Sequence, residues 1–279
     1  MARRTNTRHV QKFDSLDALI QQSKTNVAHA ASERGLDPVA AAEHCHLRTN
    51  DLSWRGREWA NLDAFWASLS EPWADGLEIF ERLRSRVDLP TQTARRRRRR
   101  WNEDGGDEVC PDRLNLGSPY WSGMKRVERH ANPIIHLLTD VSTSAGVSHE
   151  NMLWRGVAAF VIADRLEDAG FSVQLSGFNN VTHGYSDGAA AMQVFTIKEA
   201  HQPLNVGTLL NSISAWFYRT VVFSSFFKEG LPRPDYALGS PRPLKDEDIA
   251  DLDGDLVIDG AFSEDDAIRV IEETLERFL

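Results

Sequence analysis

The stretch that decides the fold reads PIIHLLTDVSTS over residues 133–144. Its first half is a short, almost continuous apolar run that begins after Pro133 and ends at Asp140. A run of this length without polar alternation is typical of a strand that is buried on both faces, as in a parallel sheet. The sequence therefore predicts a central strand here, followed directly by a polar loop.

The residues downstream of this strand complete a strand–helix–strand unit. Residues 152–169 have a helical apolar pattern that ends at Gly170, and residues 171–178 alternate as a strand. Such a unit places its two strands parallel, joined by a right-handed crossover. The predicted fold class is α/β, with a mostly parallel central sheet flanked by helices. Further strands are expected over 192–197 and 255–259, and further helices over 206–227 and 267–279.

Composition divides the chain into four predicted segments. Residues 1–12 are polar and basic and are expected to form a disordered arm, and residues 13–87 form a helical N-terminal region rich in Trp. A charged linker is predicted over 88–108, and the α/β domain is predicted over 109–279. The Trp residues of the helical region are expected to be mainly core, rather than a surface on which bases stack.

Charge is distributed unevenly along the chain. The net charge is −9, and residues 230–279 alone, with 5 Lys and Arg against 14 Asp and Glu, account for −9. The linker carries six consecutive arginines, followed by the acidic residues 103–108. Neutralisation by these acids, a phosphate-binding patch and a solvated stretch all remain open for the run. A nucleic-acid contact would use Arg95, Arg96, Arg97, Arg98, Arg99 and Arg100.

Cysteine usage and hydropathy favour a cytoplasmic protein. The two cysteines, Cys45 and Cys110, lie in dissimilar contexts that do not suggest a disulfide framework. The first residues have no apolar stretch of the kind found in secretory signals. The longest apolar run, residues 214–227, is interrupted by Arg219 and is too short to span a bilayer, so no membrane partner is expected.

The loop after the central strand has the pattern D-x-S-x-S, formed by Asp140, Ser142 and Ser144. The carboxyl end of a central parallel strand is where α/β sheets bind ligands. A carboxylate and two alternate hydroxyls can direct three hard oxygens to one point, which suits Mg²⁺ or Mn²⁺. The alternative is that Asp140 caps the following helix or accepts hydrogen bonds from loop amides.

This region resembles a von Willebrand factor A-type domain, closest to those of cobaltochelatase subunits and of the partners of MoxR-type ATPases. The resemblance rests on the D-x-S-x-S loop, on the string Leu166-Glu167-x-x-Gly170, and on a second strand that ends Gly177-Phe178. It implies a metal-ion-dependent adhesion site in which a partner's carboxylate completes the coordination of the ion.

The family adds a Thr from a second loop and an Asp after a fourth strand to the ligand set. Thr208 is the candidate for the Thr. Asp235 has the order along the chain that the resemblance implies but follows no apolar strand, whereas Asp259 follows a predicted strand but lies late.

The whole chain is also similar to an uncharacterised phage-borne protein family. The similarity rests on Trp54-x-Gly56, on residues 73–76 and on a helix that contains Arg155-Gly156. It implies a phage or prophage origin, with action in the host cytoplasm or association with the virion, and no known activity.

Three functions are therefore expected in order. The first is a non-enzymatic interaction module that holds Mg²⁺ or Mn²⁺ and binds a MoxR-type ATPase, a virion component or a replication protein. The second is a nucleic-acid-binding accessory or virion-associated protein that acts through Arg95–Arg100, with a degenerate metal site. The third is a metal-dependent phosphodiester hydrolase at Asp140.

Overall fold

A computed structural model describes the chain in several stretches. These are residues 8–45, 52–87, 99–102, 108–109, 114, 121–124, 133–144, 146–183, 189–226, 241–242, 244, 252 and 254–278. The chain divides into two compact units, one made of Met1–Val87 with Ile134–Leu279 and the other of Asp88–Pro133.

The strands, in chain order, are β1 (Arg8–Phe13), β2 (Arg99–Asn102), β3 (Glu108–Val109), β4 (Trp121–Met124), β5 (Ile134–Asp140), β6 (Ser172–His183), β7 (Ala189–Lys198) and β8 (Leu256–Ile258). The α-helices are α1 (Leu16–Arg34), α2 (Pro38–His44), α3 (Leu52–Arg55), α4 (Leu62–Ser68), α5 (Ala74–Arg86), α6 (His149–Asp168), α7 (Val206–Leu209), α8 (Ala215–Phe217), α9 (Phe223–Ser225) and α10 (Glu264–Leu275).

The larger unit contains a five-stranded sheet in the order β1-β7-β6-β5-β8. The pairs β1/β7, β5/β6 and β5/β8 are parallel, and β6/β7 is antiparallel. The predicted α/β class with a mostly parallel sheet is confirmed. Strand β5 has neighbours on both sides, and its Leu137 and Leu138 are fully buried, as expected for a central apolar strand.

Helix α6 is the crossover that follows β5. It begins after Ser148, whose side chain accepts a hydrogen bond from the Asn151 amide, and its residues 157–163 are fully buried. This apolar surround explains why α6 packs against β5, β6 and β8 and also against α5 and α10. The predicted strand–helix–strand unit is therefore confirmed.

The N-terminal arm differs from the prediction. Arg8–Phe13 pair residue by residue with Ala190–Phe195, so the expected disorder is wrong from residue 8 onward. The unpaired backbone groups on one side of β7 provide the template for this strand, which then becomes the sheet edge. Phe13, only 9% exposed, adds apolar burial at the strand's end.

The helical N-terminal region also differs from the prediction, because it belongs to the same compact unit as the sheet. Helix α5 packs on α6, and the Nε atom of Arg84 lies 2.6 Å from Oδ2 of Asp164. The hydrogen bond to this carboxylate and its charge raise the pKa of Arg84. The predicted boundary between a helical region and an α/β domain therefore does not separate two compact units.

The segment between β7 and the masked residues after 226 is an irregular, largely buried helical run. It contains α7, a 3₁₀ turn over Leu210–Ile213, α8, a π-helical turn over Tyr218–Val222, and α9. The helical prediction over 206–227 is confirmed for the described residues, but the π-helical turn was not predicted. Such turns widen the helix locally and often occur at functional sites.

The smaller unit has a three-stranded antiparallel sheet in the order β2-β4-β3. Two of its strands, β2 and β3, come from the segment that was predicted to be a charged linker. Arg99 and Arg100 belong to β2, whereas Arg95, Arg96, Arg97 and Arg98 lie outside the described residues.

Within the part of the chain that the structure describes, the helices fall short of the length and apolarity required to cross a membrane.

Candidate functional site at the carboxyl end of the central strand

Asp140 is the last residue of β5, and both of its carboxylate oxygens are engaged within the chain. Its Oδ1 accepts hydrogen bonds from the Ser142 amide at 2.7 Å and from the Ser142 hydroxyl at 2.6 Å. Its Oδ2 accepts a hydrogen bond from Nη1 of Arg155 at 3.0 Å. The Ser142 contacts form a local turn, which agrees with the alternative that Asp140 binds loop amides.

Arg155 connects three segments at this point. Its side chain is 3% exposed, and it reaches back toward the N-terminus of α6, as helical side chains do. Besides Asp140, its Nη1 donates to the Asp259 carbonyl at 3.2 Å, and its Nη2 donates to the Ser142 carbonyl at 2.6 Å. The guanidinium therefore holds the loop after β5, helix α6 and the loop after β8 together.

The electrostatics of Asp140 reflect this crowding. Burial raises the pKa of Asp140, because the charged carboxylate loses water. The Arg155 charge and the two Ser142 hydrogen bonds lower the same pKa, and the nearby Asp259 carboxylate raises it again. The net direction is upward, so the fold depends on Arg155 to keep this carboxylate ionised.

The π-helical turn contributes two side chains that support the loop from below. The Tyr218 hydroxyl donates to Oδ1 of Asn179 on β6 at 3.4 Å, and a backbone hydrogen bond links it to Thr143. Burial, followed by the Asp140 charge, raises the pKa of Tyr218, so this side chain stays a neutral hydrogen-bonding group.

Arg219, the next residue, is fully buried under the same loop. Its guanidinium donates to the Trp54 carbonyl and, at 2.6 Å, to the Val147 carbonyl, and it lies 4.7 Å from the centre of the Trp54 ring. The loop is thus fastened to the helical N-terminal region as well as to the sheet.

The solvent-facing part of this site has a different character. Ser144 and Asp259 are exposed, and Phe262 is 45% exposed with its ring centre 5.2 Å from the Arg155 guanidinium. We call the surface formed by the Asp140–Ser144 loop, Asp259 and Phe262 the carboxyl edge. It presents a hydroxyl, a carboxylate and an aromatic ring on a rigid base.

The predicted metal ligands are only partly brought together. Asp140 and Ser142 are in contact, while the Ser144 hydroxyl oxygen accepts from the Gly146 amide at 3.4 Å. Asp235 lies outside the described residues. Asp259 directly follows β8, the fourth strand counted from β5, and so occupies the position that the resemblance assigns to the further Asp.

The structure places Thr208 elsewhere, so its predicted role beside Asp140 is corrected. Strand β7 runs antiparallel to β6, so that its last residue, Lys198, pairs with Leu175, whereas Asp140 pairs with Phe178. The chain therefore leaves β7 on the side away from Asp140. Thr208 lines a cavity there together with Thr196 and Glu199.

The arrangement at Asp140 does not fit a divalent ion. The Arg155 guanidinium already neutralises the carboxylate, and a second cation beside it would be repelled. Mg²⁺ and Mn²⁺ favour several hard oxygen ligands, including carboxylates. The described stretches contain no group of three His, Cys, Asp or Glu side chains that could hold a metal ion.

Sequence reasoning missed Arg155, Tyr218 and Arg219 as parts of the site. A usable signal existed for both arginines, because each interrupts an otherwise apolar helical pattern. Buried arginines need acceptors, so an arginine on a helix face that is meant for the core indicates a fixed polar partner.

These features define an α/β protein with an Asp–Ser loop at the carboxyl end of its central parallel strand and an arginine from the crossover helix paired with the Asp. The chain belongs to the family described as a domain of unknown function, DUF7192, whose model matches residues 2–279. No curated protein and no solved structure matches the chain.

Proposed function

We propose that this chain is a non-enzymatic protein-interaction module that binds its partner through the carboxyl edge. The observation that carries the proposal is the buried Asp140–Arg155 pair, which fixes three segments beneath an exposed hydroxyl, carboxylate and ring. Rigid support under a few exposed anchors is what a specific interface requires, because little ordering cost remains when the partner binds.

The resemblance to von Willebrand factor A-type domains supports the same edge. In such domains the D-x-S-x-S loop contacts the partner, and here that loop follows the central strand and precedes the crossover helix. On this basis the proposed partner is a MoxR-type ATPase, a virion component or a replication protein.

The proposal differs from the family's usual chemistry in the source of positive charge. Arg155 supplies it from within the chain, so the contact does not require Mg²⁺ or Mn²⁺. A catalytic role for Asp140 is disfavoured for the same reason, since both carboxylate oxygens already accept hydrogen bonds and neither is available as a general base.

Site-specific photo-crosslinking tests the proposal. A photoreactive phenylalanine analogue replaces Phe262 in the full chain, and the matched control replaces Val39 on α2, which is 61% exposed. We expect a discrete crosslinked protein from position 262, retained in EDTA and lost when Ser144→Arg is added. The proposal fails if position 39 gives the same product, or if Ser144→Arg leaves crosslinking at 262 unchanged.

A further inference from the structure

A second site lies on the side of the sheet where β7 ends, away from the carboxyl edge. It is a cavity of about 450 Å³ between α1, α4, the end of β7 and the residues 208–217. Part of its wall is apolar, and the remainder carries acidic groups. The apolar side chains are Leu16, Ile20, Leu69 and Phe217, and the acidic ones are Asp14, Asp17 and Glu199.

Asn211 provides the first indication of a ligand. Its side chain lines this cavity and is 2% exposed. Its Nδ2 donates to the backbone carbonyls of Ser68, Leu69 and Glu71, at 3.4, 3.3 and 2.8 Å. Three acceptors around the amino group fix the orientation of the amide, because a flipped amide would place oxygen against oxygen.

The fixed amide leaves its oxygen without a donor. Within the described stretches of the chain, Oδ1 of Asn211 accepts no hydrogen bond. A buried acceptor without a partner is rare in folded proteins and needs an explanation. A ligand that brings an N–H group into the cavity would satisfy this oxygen.

Charge gives the second indication. Asp14, Asp17 and Glu199 form no ion pair with any described residue, and Lys24 is the only cationic side chain among the described residues of the wall. The Lys24 ammonium lies 5.1 Å from the centre of the Trp66 ring. The cavity therefore has an acidic balance, and Trp66 already holds one ammonium group.

We propose that this cavity binds an aliphatic ammonium ligand. The ammonium group donates to Oδ1 of Asn211 and is attracted by the three carboxylates, while the methylene chain packs on Leu69 and Phe217. A free polyamine and the lysine side chain of a peptide share this chemistry. The site is independent of the carboxyl edge, and it accounts for the position of Thr208 in the wall.

Isothermal titration of the full chain tests the site, with spermidine as one probe and N-acetyl-lysine methylamide as the other. We expect one saturable site for at least one of the probes. Glu199→Gln should weaken binding about fivefold, the effect of losing one partly exposed ion pair. Lys24→Gln should strengthen binding, because it removes the ammonium that competes for Trp66 and the acids.

Glu273→Gln on α10 is the matched control, since it makes the same charge change at an exposed position far along the chain. Binding should be unchanged in this variant. A stronger response to spermidine identifies a free polyamine as the ligand, and a stronger response to the lysine derivative identifies a peptide. Absence of saturable binding by both probes overturns the proposal, and so does equal weakening by Glu199→Gln and Glu273→Gln.

Discussion

Nη1 of Arg155 lies 3.0 Å from Oδ2 of Asp140, with 3% of the arginine side chain and 14% of the aspartate side chain exposed. Because the same guanidinium also donates to the carbonyls of Ser142 and Asp259, the pair ties the ends of β5 and β8 to α6. The acidic residue that the sequence singled out for metal binding therefore has a structural cation of its own.

Breaking this pair should destabilise the fold strongly. Asp140→Asn leaves a buried guanidinium without its counter-charge, and Arg155→Met leaves a buried carboxylate, so each should cost about 3–5 kcal/mol of unfolding free energy. The double variant should cost clearly less than the sum of the two single variants, because neither charge is then left alone. Urea denaturation measures all three.

Ser144→Ala is the control for these variants, since Ser144 is exposed and its hydroxyl makes a single long hydrogen bond. Its effect should stay within about 0.5 kcal/mol. Strictly additive effects of Asp140→Asn and Arg155→Met would show that the two side chains do not interact.

The Asp259 carboxylate should tune Asp140. Its negative charge contributes to raising the pKa of Asp140, so Asp259→Asn should lower that pKa. Carbon-detected NMR titration of the Asp140 side chain gives the value directly. Asp255→Asn serves as a control, because Asp255 is exposed and its Oδ2 accepts from the His136 amide at the other end of β5.

The same shift has a consequence for stability. Since the pKa of Asp140 is raised in the folded state, the folded protein holds this proton at pH values where the unfolded chain has lost it. The Asp140 contribution to unfolding free energy therefore decreases as pH rises from the ordinary Asp pKa to the folded value. Asp259→Asn should narrow that interval, and an interval of unchanged width would contradict the assignment.

The sequence was sufficient for β5, α6 and β6, because a buried apolar run and a helical apolar period are local patterns. It was not sufficient for Thr208. Whether β7 lies parallel or antiparallel to β6 depends on tertiary pairing, and this direction decides on which side of the sheet Thr208 falls. The partner of Asp140 was missed for a similar reason, since Arg155 is fifteen residues away and meets it only through the crossover.

The close approach of α6 to the 3₁₀ turn gives another prediction. A Cβ atom at Gly156 would lie 2.4 Å from Cβ of Ile213. Gly156→Ala should therefore destabilise the protein by about 1–3 kcal/mol through overpacking, despite the better helix propensity of Ala. Thermal and urea denaturation measure the loss.

Gly146→Ala is the matched substitution, because the nearest atom to its new Cβ is the Ser144 hydroxyl oxygen at 3.9 Å. It should be close to neutral. In an Ile213→Ala background the cost of Gly156→Ala should shrink, and a cost that stays the same would place the clash elsewhere.

Strand β1 gives a prediction that separates an edge strand from a disordered arm. Removing residues 1–12 deletes five of the six residues that pair with β7. We expect a lower unfolding free energy and faster amide hydrogen exchange along residues 190–195, because these residues lose a paired neighbour. Unchanged stability and exchange would return residues 8–12 to the disordered arm.

Binding of Mn²⁺ to the full chain tests the central claim most directly, namely that Arg155 takes the place of a divalent ion at Asp140. The protein is freed of metal with EDTA and then titrated with Mn²⁺, with free ion measured by electron paramagnetic resonance and Asp140→Asn titrated in parallel. The account predicts that the two proteins bind Mn²⁺ equally weakly. One Mn²⁺ bound tightly per chain by the unsubstituted protein, and lost in Asp140→Asn, would contradict it.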